Sequence, residues 1–467
     1  MRTSKEDISS QLGTAPVGKL LWKLAVPTVV AQLVNLLYNI VDRIYIGHMP
    51  EVGRVALTGV GLCFPVIYLI SAFTMLVAQG GAPRAAIAMG RGDNGTAEEI
   101  MGNCFTCLVA VALALTAAFW VWGEPLLWLF GCSEETIVYA LPYMRIYAGG
   151  SLLVMMALGM NLFITTQGFT RFSMVTVVAG AVSNIILDPI FIYSLDMGVQ
   201  GAALATVISQ AISGVLVVRF LVGKTTVLRL RRRWLRPRSQ VMLPVLGLGL
   251  APFVMQATEA LLNISFNSSL QRYGGDIPVG AMTVASTIMQ MAWIPTQGIG
   301  QGAQPIISYN YGAGNLGRVK EAFWALVKVS MVFMMALWAL IQLFPRFFIR
   351  IFNDSPELMD TAVWSLRLYT ASMVLFGIQL SVPQTFMAIG RAKASLFIAC
   401  LRKVILLIPL IFILPLFFED KVFAVFLAEP VSDFISVVVS AVTFFFVFRR
   451  AMADLEKKNA GEPQQAQ

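Results

Sequence analysis

Histidine is almost absent from this sequence, and charged residues are few. The single histidine, His48, excludes a catalytic or metal centre that is built on several imidazoles. Only 13% of the 467 residues are charged, whereas 57% are hydrophobic, and a soluble domain carries about 25% charged residues. The composition therefore disfavours a soluble enzyme and indicates an integral membrane protein.

Two further features are missing, and the few cysteines give no sign of a site. No stretch alternates strictly between apolar and polar residues, which argues against a transmembrane barrel. The N-terminal sequence has no short apolar core followed by a small-residue cleavage site, so we expect no removable signal peptide. The five cysteines lie mostly in apolar runs, and this favours small buried hydrophobic residues over a redox or metal pair at Cys104 and Cys107.

Many apolar runs reach about 20 residues, the length that spans a hydrocarbon core. In lipid each span must satisfy its own backbone, so the spans are expected to be helices. We predict an all-α polytopic membrane protein with twelve transmembrane helices in two pseudo-symmetric six-helix lobes. The predicted helices are 20–47, 54–83, 99–122, 136–163, 171–194, 199–222, 240–271, 277–308, 318–345, 357–383, 393–418 and 421–448.

Basic residues orient these helices. With the N-terminus in the cytoplasm, most of the 34 Lys and Arg residues fall on inner segments, so both termini are predicted to be cytoplasmic. The run LRLRRRWLRPR (228–238) is explained by an inner loop, and no nucleic-acid partner is expected. The predicted organisation is a cytoplasmic segment 1–19, an N-lobe 20–223, a basic linker 224–239, a C-lobe 240–450 and a disordered cytoplasmic tail 451–467.

The two halves repeat each other. At an offset of 222 residues, the glutamine, glycines and proline of AQGGAPRAAIAMGRGD (78–93) recur in GQGAQPIISYNYGAGN (300–315). At an offset of 224, Gln32 and Asn39 meet Gln256 and Asn263. Six helices per lobe place both lobes in the same direction across the membrane. Such repeats are typical of transporters that bind substrate between lobes and alternate access by rocking.

Polar residues form a stripe on each of two corresponding helices. The first helix carries Gln32, Asn35, Asn39 and Asp42 at spacings of 3, 4 and 3; the seventh carries Gln256, Glu259 and Asn263. Helical periodicity puts each set on one face. For the amides, interhelical hydrogen bonding is the favoured interpretation. For the two carboxylates, which are costly in lipid, a substrate or ion pathway is favoured.

The segment SNIILDPIFIYSL (183–195) places Asp188 inside the fifth span. Asn184 lies four residues earlier, on the same helical face. Pro189 removes a backbone donor and leaves the carbonyl of Ile185 without its helical partner. A carboxylate, an amide oxygen and a freed carbonyl are hard-cation ligands, so an ion site is favoured over a kinked helix with a bonded aspartate.

The twelfth helix carries a second acidic pair. Glu429 and Asp433 are four residues apart, and Arg402 and Lys403 lie at a comparable depth on the eleventh helix. A buried ion-pair cluster is the favoured interpretation, and a proton relay is the alternative.

These motifs resemble a known family. LAVPTVVAQLVNLLYNIVDRIYIG (24–47), SNIILDPIFI (183–192), GVQGAALATVISQ (198–210) and the paired QGxxP…GxG loops are similar to those of the MATE (multidrug and toxic compound extrusion) transporters. The resemblance covers nearly the whole chain, and NIILDPIFI followed by GAALAT is its most specific part.

The resemblance implies a multidrug antiporter of a bacterial inner membrane that works as a monomer. It would export organic cations and other xenobiotics in exchange for Na⁺ or H⁺, with no other cofactor. Family members with an N-lobe cation site match here at Asp42, Asn184, Asp188 and Thr206, which would hold Na⁺, and a functional acid on the seventh helix matches Glu259. The tenth-helix aspartate of one branch is missing from WSLRLYTASMVLFGIQLSV (364–382).

Other functions remain as alternatives. A flippase or exporter of lipid-linked saccharides, or of another amphipathic metabolite, would be expected to show a cationic cavity, but the intramembrane charges here are largely acidic. A membrane enzyme would need a nucleophile with a base, or a metal cluster. A channel gives no reason for kinked, acid-bearing helices in duplicated lobes.

Overall fold

The computed structural model describes residues 11–50, 52–352 and 356–459. The predicted all-α class is confirmed, and no strand occurs in the described residues. Eleven of the described helices are long and apolar enough to cross a membrane, and a pair bent by 56° makes a twelfth. The predicted number of spans is thus confirmed.

The N-lobe consists of the first six spans. They are α1 (Val17–Gly47), α2 (Gly53–Leu62 and Phe64–Gly90), α3 (Asn94–Leu129), α4 (Glu134–Gly149, then the bent half Ser151–Thr166), α5 (Thr170–Pro189 with a π-helical end, Ile190–Ser194) and α6 (Gly198–Val222).

The C-lobe consists of the other six spans, after a linker that contains one 3₁₀ turn, Arg232–Trp234. They are α7 (Ser239–Gly274), α8 (Asp276–Gly312), α9 (Leu316–Leu343, followed by the short helix Pro345–Arg350), α10 (Pro356–Tyr369, a 3₁₀ segment Ala371–Leu375, Phe376–Ala388), α11 (Ala392–Cys400, a π segment Leu401–Leu407, Ile408–Ile413, Leu414–Leu416) and α12 (Lys421–Asn459).

Several predicted helix boundaries are wrong. The predicted ends of the second and eighth helices, at residues 83 and 308, are too early, because α2 continues to Gly90 and α8 to Gly312. Pro83 and Pro305 therefore lie inside these helices. Spanning helices tolerate proline because neighbouring helices compensate the lost hydrogen bond. The turns come later, at Gly92 and Gly314, whose φ values of +78° and +75° suit only glycine among common residues.

The next helix after each turn begins at a matched cap. Asp93 accepts hydrogen bonds from Thr96 N at 2.9 Å and Thr96 Oγ1 at 2.6 Å, and these bonds hold the pKa of the Asp93 carboxyl below its ordinary value. At the repeat position, Asn315 Oδ1 accepts from Arg318 N at 3.2 Å. The caps start these helices at Asn94 and Leu316, before the predicted boundaries at residues 99 and 318.

The disordered tail predicted from residue 451 is also wrong in its first part. Helix α12 continues to Asn459, and Ala451 and Met452 are buried in an apolar cluster with the start of α1. The Arg391 guanidinium pairs with Asp454 at 2.6 Å. Residues 460–467 of the predicted tail, and residues 1–10 of the predicted N-terminal segment, lie outside the described residues.

The lobes meet along α1, α2, α7 and α8. The contact involves the half of each helix that lies on the same side of the membrane as the linker. A Cβ at Gly80 would collide with the Val245 carbonyl, and one at Gly302 would lie 2.5 Å from the Cα of Ala25. Thr28 Oγ1 donates to the Gly298 carbonyl at 2.6 Å across this contact. The repeated glycines therefore allow backbone-to-backbone packing between lobes.

Candidate functional site

The N-lobe site lies where α1, α5 and α6 pack together. The Nδ2 of Asn184 donates to Asp188 Oδ1 at 3.0 Å and reaches Thr206 Oγ1 at 3.5 Å. Asp188 and Asn184 are 0% and 1% exposed. Asp42 of α1 is also buried. The structure thus brings Asn184, Asp188 and Thr206 together, with Asp42 buried on the helix α1 that packs against α5.

Three oxygens of this site have no hydrogen-bond partner among the described residues: Asp42 Oδ1, Asn184 Oδ1 and Asp188 Oδ2. Neither aspartate forms an ion pair with a described residue. The nearest cation in sequence, Arg43, instead stacks over the Phe64 ring at 4.5 Å. Buried carboxylates without a partner are expensive, so the arrangement suits a bound proton or small cation.

The fold of α5 explains this geometry. The α-helix ends at Pro189, and five π-helical residues follow, Ile190–Ser194. Proline cannot donate to the carbonyl of Ile185, and π segments often mark functional sites in helices. The four-residue spacing of Asn184 and Asp188 keeps both side chains on the face that meets α6.

Sequence reasoning missed two neighbours of the site. Gln210 Nε2 donates to the Tyr38 hydroxyl at 3.4 Å, and both residues line a cavity of about 350 Å³ together with Asn35, Asn184 and Thr206. Helical spacing was the available signal, because Tyr38 precedes Asp42 by four residues and Gln210 follows Thr206 by four.

Apart from Asn35, which lines this cavity, the amides of the two stripes lie elsewhere. Gln32 Nε2 donates to Gln301 Oε1 at 3.1 Å, across the contact between lobes. Asn39 and Asn263 are exposed, and each donates to the carbonyl four residues earlier on its own helix, at 2.6 and 3.0 Å. Gln256 is half-buried on α7.

The C-lobe holds its acids differently. The Arg402 guanidinium pairs with Asp433 at 2.7 Å and Glu429 at 3.0 Å. Ser372 Oγ donates to Asp433 Oδ2 at 2.8 Å. The Arg402 charge also lies 5.3 Å from the Phe376 ring centroid. The predicted grouping of Glu429 and Asp433 with Arg402 is therefore present as an ion-pair cluster.

Glu259 has a cationic partner that sequence reasoning did not assign. The buried Lys403 ammonium pairs with the Glu259 carboxylate and donates to the Met255 carbonyl at 2.9 Å. Glu259 retains a side-chain exposure of 45%, whereas that of Lys403 is 6%. These residues adjoin a cleft of about 290 Å³, which Met255, Trp293, Arg402 and Lys403 help to line.

Comparison with known families agrees with this architecture. The MatE family model matches residues 27–190 and 252–413, one stretch in each lobe. The chain belongs to the MATE family. It is thus a transporter and not an enzyme, and this MATE chain carries its unpaired acids in the first matched stretch.

Curated relatives of this MATE chain are of similar length. The multidrug export protein MepA of Staphylococcus aureus strain N315 is 21% identical over 86% of this chain and 88% of its own. MepA of Staphylococcus haemolyticus is 22% identical over 90% and 92%. A solved structure described as the outward-facing conformation of a multidrug resistance MATE family transporter has a TM-score of 0.88 at 23% identity, over 98% of this chain and 100% of that one. This last likeness shows the fold.

The side chains of the MATE site in the N-lobe offer oxygen atoms to an ion. No group of three or more His, Cys, Asp or Glu side chains that could hold a metal ion occurs among the described residues. His48 is exposed, and its Nδ1 lies 2.8 Å from the Ile44 carbonyl. The ligands of the N-lobe site are carboxylate, amide and hydroxyl oxygens, which suit Na⁺ or H⁺ rather than zinc.

Proposed function

We propose that this MATE transporter is a multidrug efflux antiporter that exports organic cations and other xenobiotics in exchange for Na⁺ or H⁺. The observation that carries the proposal is the set of three buried, unpartnered oxygens on Asp42, Asn184 and Asp188. A monovalent cation would supply the missing partner, with Thr206 as a fourth oxygen ligand, or a proton would neutralise one carboxylate. Drug export by the MepA relatives supports the choice of cargo.

Coupling follows from competition for one lobe. The ion site lies beside the cavity that Asn35, Tyr38 and Gln210 line. An ion that draws the oxygens of α1, α5 and α6 together favours one arrangement of these helices, and bound cargo favours another. Binding of one then weakens binding of the other, which is the reciprocal coupling that antiport needs.

Cationic cargo is preferred on charge. Among the described acids inside the spans, Asp42 and Asp188 have no basic partner, whereas Arg402 and Lys403 are both paired with carboxylates. An exporter of lipid-linked saccharides, the second candidate, would need basic groups for a pyrophosphate beside its cargo, and no Lys or Arg is among the residues that line the described N-lobe cavity. The stripe amides Gln256 and Asn263, with Glu259, would line the cargo path in the C-lobe. Each chain holds a complete pair of lobes, so a monomer in a bacterial inner membrane is sufficient, with both termini cytoplasmic.

The test is transport in proteoliposomes. The purified protein is reconstituted, and release of rhodamine 6G, a fluorescent organic cation, is recorded under an imposed Na⁺ gradient and then under a pH gradient. Flux driven by one gradient, and abolished by its collapse, would support the antiporter and name its ion. Absence of flux under both gradients, with correctly folded protein, would contradict the proposal.

A further inference from the structure

The linker between the lobes is clamped onto the N-lobe. Helix α6 ends at Val222 and α7 begins at Ser239, and the chain between them follows the first turns of α3. Asn103 Nδ2 donates to the Trp234 carbonyl at 3.0 Å, and Thr106 Oγ1 donates to the Leu235 carbonyl at 2.7 Å. Gly102 leaves room for this approach, because a Cβ there would lie 2.6 Å from the Trp234 oxygen.

Hydrogen bonds and ion pairs also hold the first part of the linker. The buried Gln167 Oε1 accepts hydrogen bonds from Val227 N at 2.9 Å, Leu228 N at 2.8 Å and Thr226 Oγ1 at 2.7 Å. Two glutamates of α3 then fix the basic stretch: Arg231 pairs with Glu98 at 2.9 Å and Arg238 with Glu99 at 2.8 Å. The linker is therefore an ordered strap and not a flexible connection.

The strap carries far more positive charge than the clamp neutralises. Its basic side chains are Lys224, Arg229, Arg231, Arg232, Arg233, Arg236 and Arg238. Glu98 and Glu99 are the acids paired with them among the described residues. Arg232 and Arg236 are exposed and form no described ion pair. Guanidinium groups bind phosphate oxygens in a bidentate manner, so the surplus points to a phosphate-bearing partner.

The position of the strap identifies the source of that phosphate. It joins the ends of two spanning helices, α6 and α7, so it lies on one face of the membrane. Trp234 lies among the arginines, with the Arg233 guanidinium over its ring at 4.6 Å, and tryptophan is typical of the interface between lipid and water. Clusters of four to eight basic residues in this location typically bind anionic lipid. A nucleic acid would have to lie flat against the bilayer to reach the same side chains.

We propose that the strap, residues 224–238, is a binding site for anionic phospholipid headgroups. Arg232 and Arg236 are the principal ligands, because the clamp presents them without neutralising them. Clamping reduces the entropy that a flexible polybasic loop would lose on binding. Transport is not part of this proposal, so it stands or falls independently of the ion and the cargo.

The test compares Arg232→Gln/Arg236→Gln with Arg346→Gln/Arg350→Gln. The control pair removes the same charge from exposed arginines beside α9, away from the strap. Each full-length protein is purified in mixed micelles, and its Tm is measured with phosphatidylcholine or with phosphatidylglycerol. We expect phosphatidylglycerol to raise the Tm of wild type and control by several degrees, and the strap variant to lose at least half of this gain. Equal Tm values of all three proteins in phosphatidylcholine show that they fold alike.

Two results would overturn the proposal. Stabilisation by phosphatidylglycerol that is equal in both variants, or absent from all three proteins, would remove the strap as a lipid site. The same gain from inorganic phosphate at matched charge, without lipid, would assign the site to free anions. Direct counting of retained phosphatidylglycerol by native mass spectrometry should follow the Tm result, with fewer bound lipids on the strap variant.

Discussion

The two lobes share an architecture but treat their buried acids in opposite ways. In the N-lobe, Asp42 and Asp188 have no cationic partner among the described residues, and three oxygens of the site are unsatisfied. In the C-lobe, Asp433 and Glu429 pair with Arg402, and Glu259 pairs with Lys403. Duplication thus preserved the helices and changed the charge balance. Under the proposed mechanism the N-lobe takes its cation from solution, whereas the C-lobe carries its cations on its own side chains.

The strongest test of this difference is Asp188→Asn. The variant removes a buried charge that has no cationic partner among the described residues, so we expect at least a 10-fold loss of gradient-driven rhodamine 6G flux in proteoliposomes, with normal folding, because the coupling ion loses its principal ligand. Asp196→Asn makes the same chemical change in the exposed turn after α5 and should retain wild-type flux. Full activity of the Asp188 variant would refute the assignment of the ion site.

The C-lobe should respond to loss of a charge by unfolding more easily. Arg402→Met leaves Asp433 and Glu429 buried without their counter-ion, and breaking a buried ion pair in this way costs about 3–5 kcal/mol. The measurement is thermal unfolding in detergent, with Arg346→Met as an exposed control that should change stability by less than about 0.5 kcal/mol. A stable Arg402 variant would mean that the C-lobe acids need no fixed cation.

In the N-lobe, loss of a buried charge should increase the free energy of unfolding instead of decreasing it. Asp42→Asn removes an unpaired buried carboxylate, so the free energy of unfolding in the absence of coupling ion is expected to rise by about 1 kcal/mol. Flux should fall at the same time. Destabilisation comparable to that of the Arg402 variant would show that Asp42 has a structural partner and would erase the contrast between the lobes.

The smallest effect is expected at the matched caps. Asp93 and Asn315 occupy the same repeat position, but only the aspartate titrates. Its pKa is lowered in the folded state by hydrogen bonds from Thr96, so its contribution is complete above its ordinary pKa of about 3.9 and is lost as the pH falls further. In Asp93→Asn, the free energy of unfolding should fall by less than about 0.5 kcal/mol. The part of the fall in Tm at acid pH that comes from the Asp93 carboxyl should disappear. If the variant and wild type show the same dependence of Tm on pH between pH 3 and 5, this prediction is wrong.

Much of the fold could be predicted because lipid imposes simple rules. Apolar length and the internal repeat were sufficient for the twelve helices. The second and eighth helices were predicted to end too early, at residues 83 and 308, because proline and glycine end helices in water, whereas here Gly80 and Gly302 pack against another backbone. Close approach between lobes is a property of the folded molecule that no local pattern shows.

The candidate site was predictable on one helix and less so between helices. Asn184 and Asp188 lie on one turn of α5, so their contact follows from spacing alone. The partner of Glu259 did not follow, because Lys403 is 144 residues away and a residue count along α11 does not give rotation about its axis. The π segment Leu401–Leu407 changes that rotation locally and turns Arg402 and Lys403 towards different acids.

The clamp on the linker also decides where the lobes can turn. Arg238 N donates to Asn103 Oδ1 at 2.6 Å, and α7 begins at the next residue, so there is no slack between an anchor on one lobe and the first helix of the other. A relative rotation that leaves this anchor in place is centred near residue 238, and it moves the far end of α7 the most. At 1.5 Å per residue, its 36 residues span about 54 Å. A turn of about 10° at the fulcrum would therefore sweep the far end through roughly 9 Å while the strap stays still.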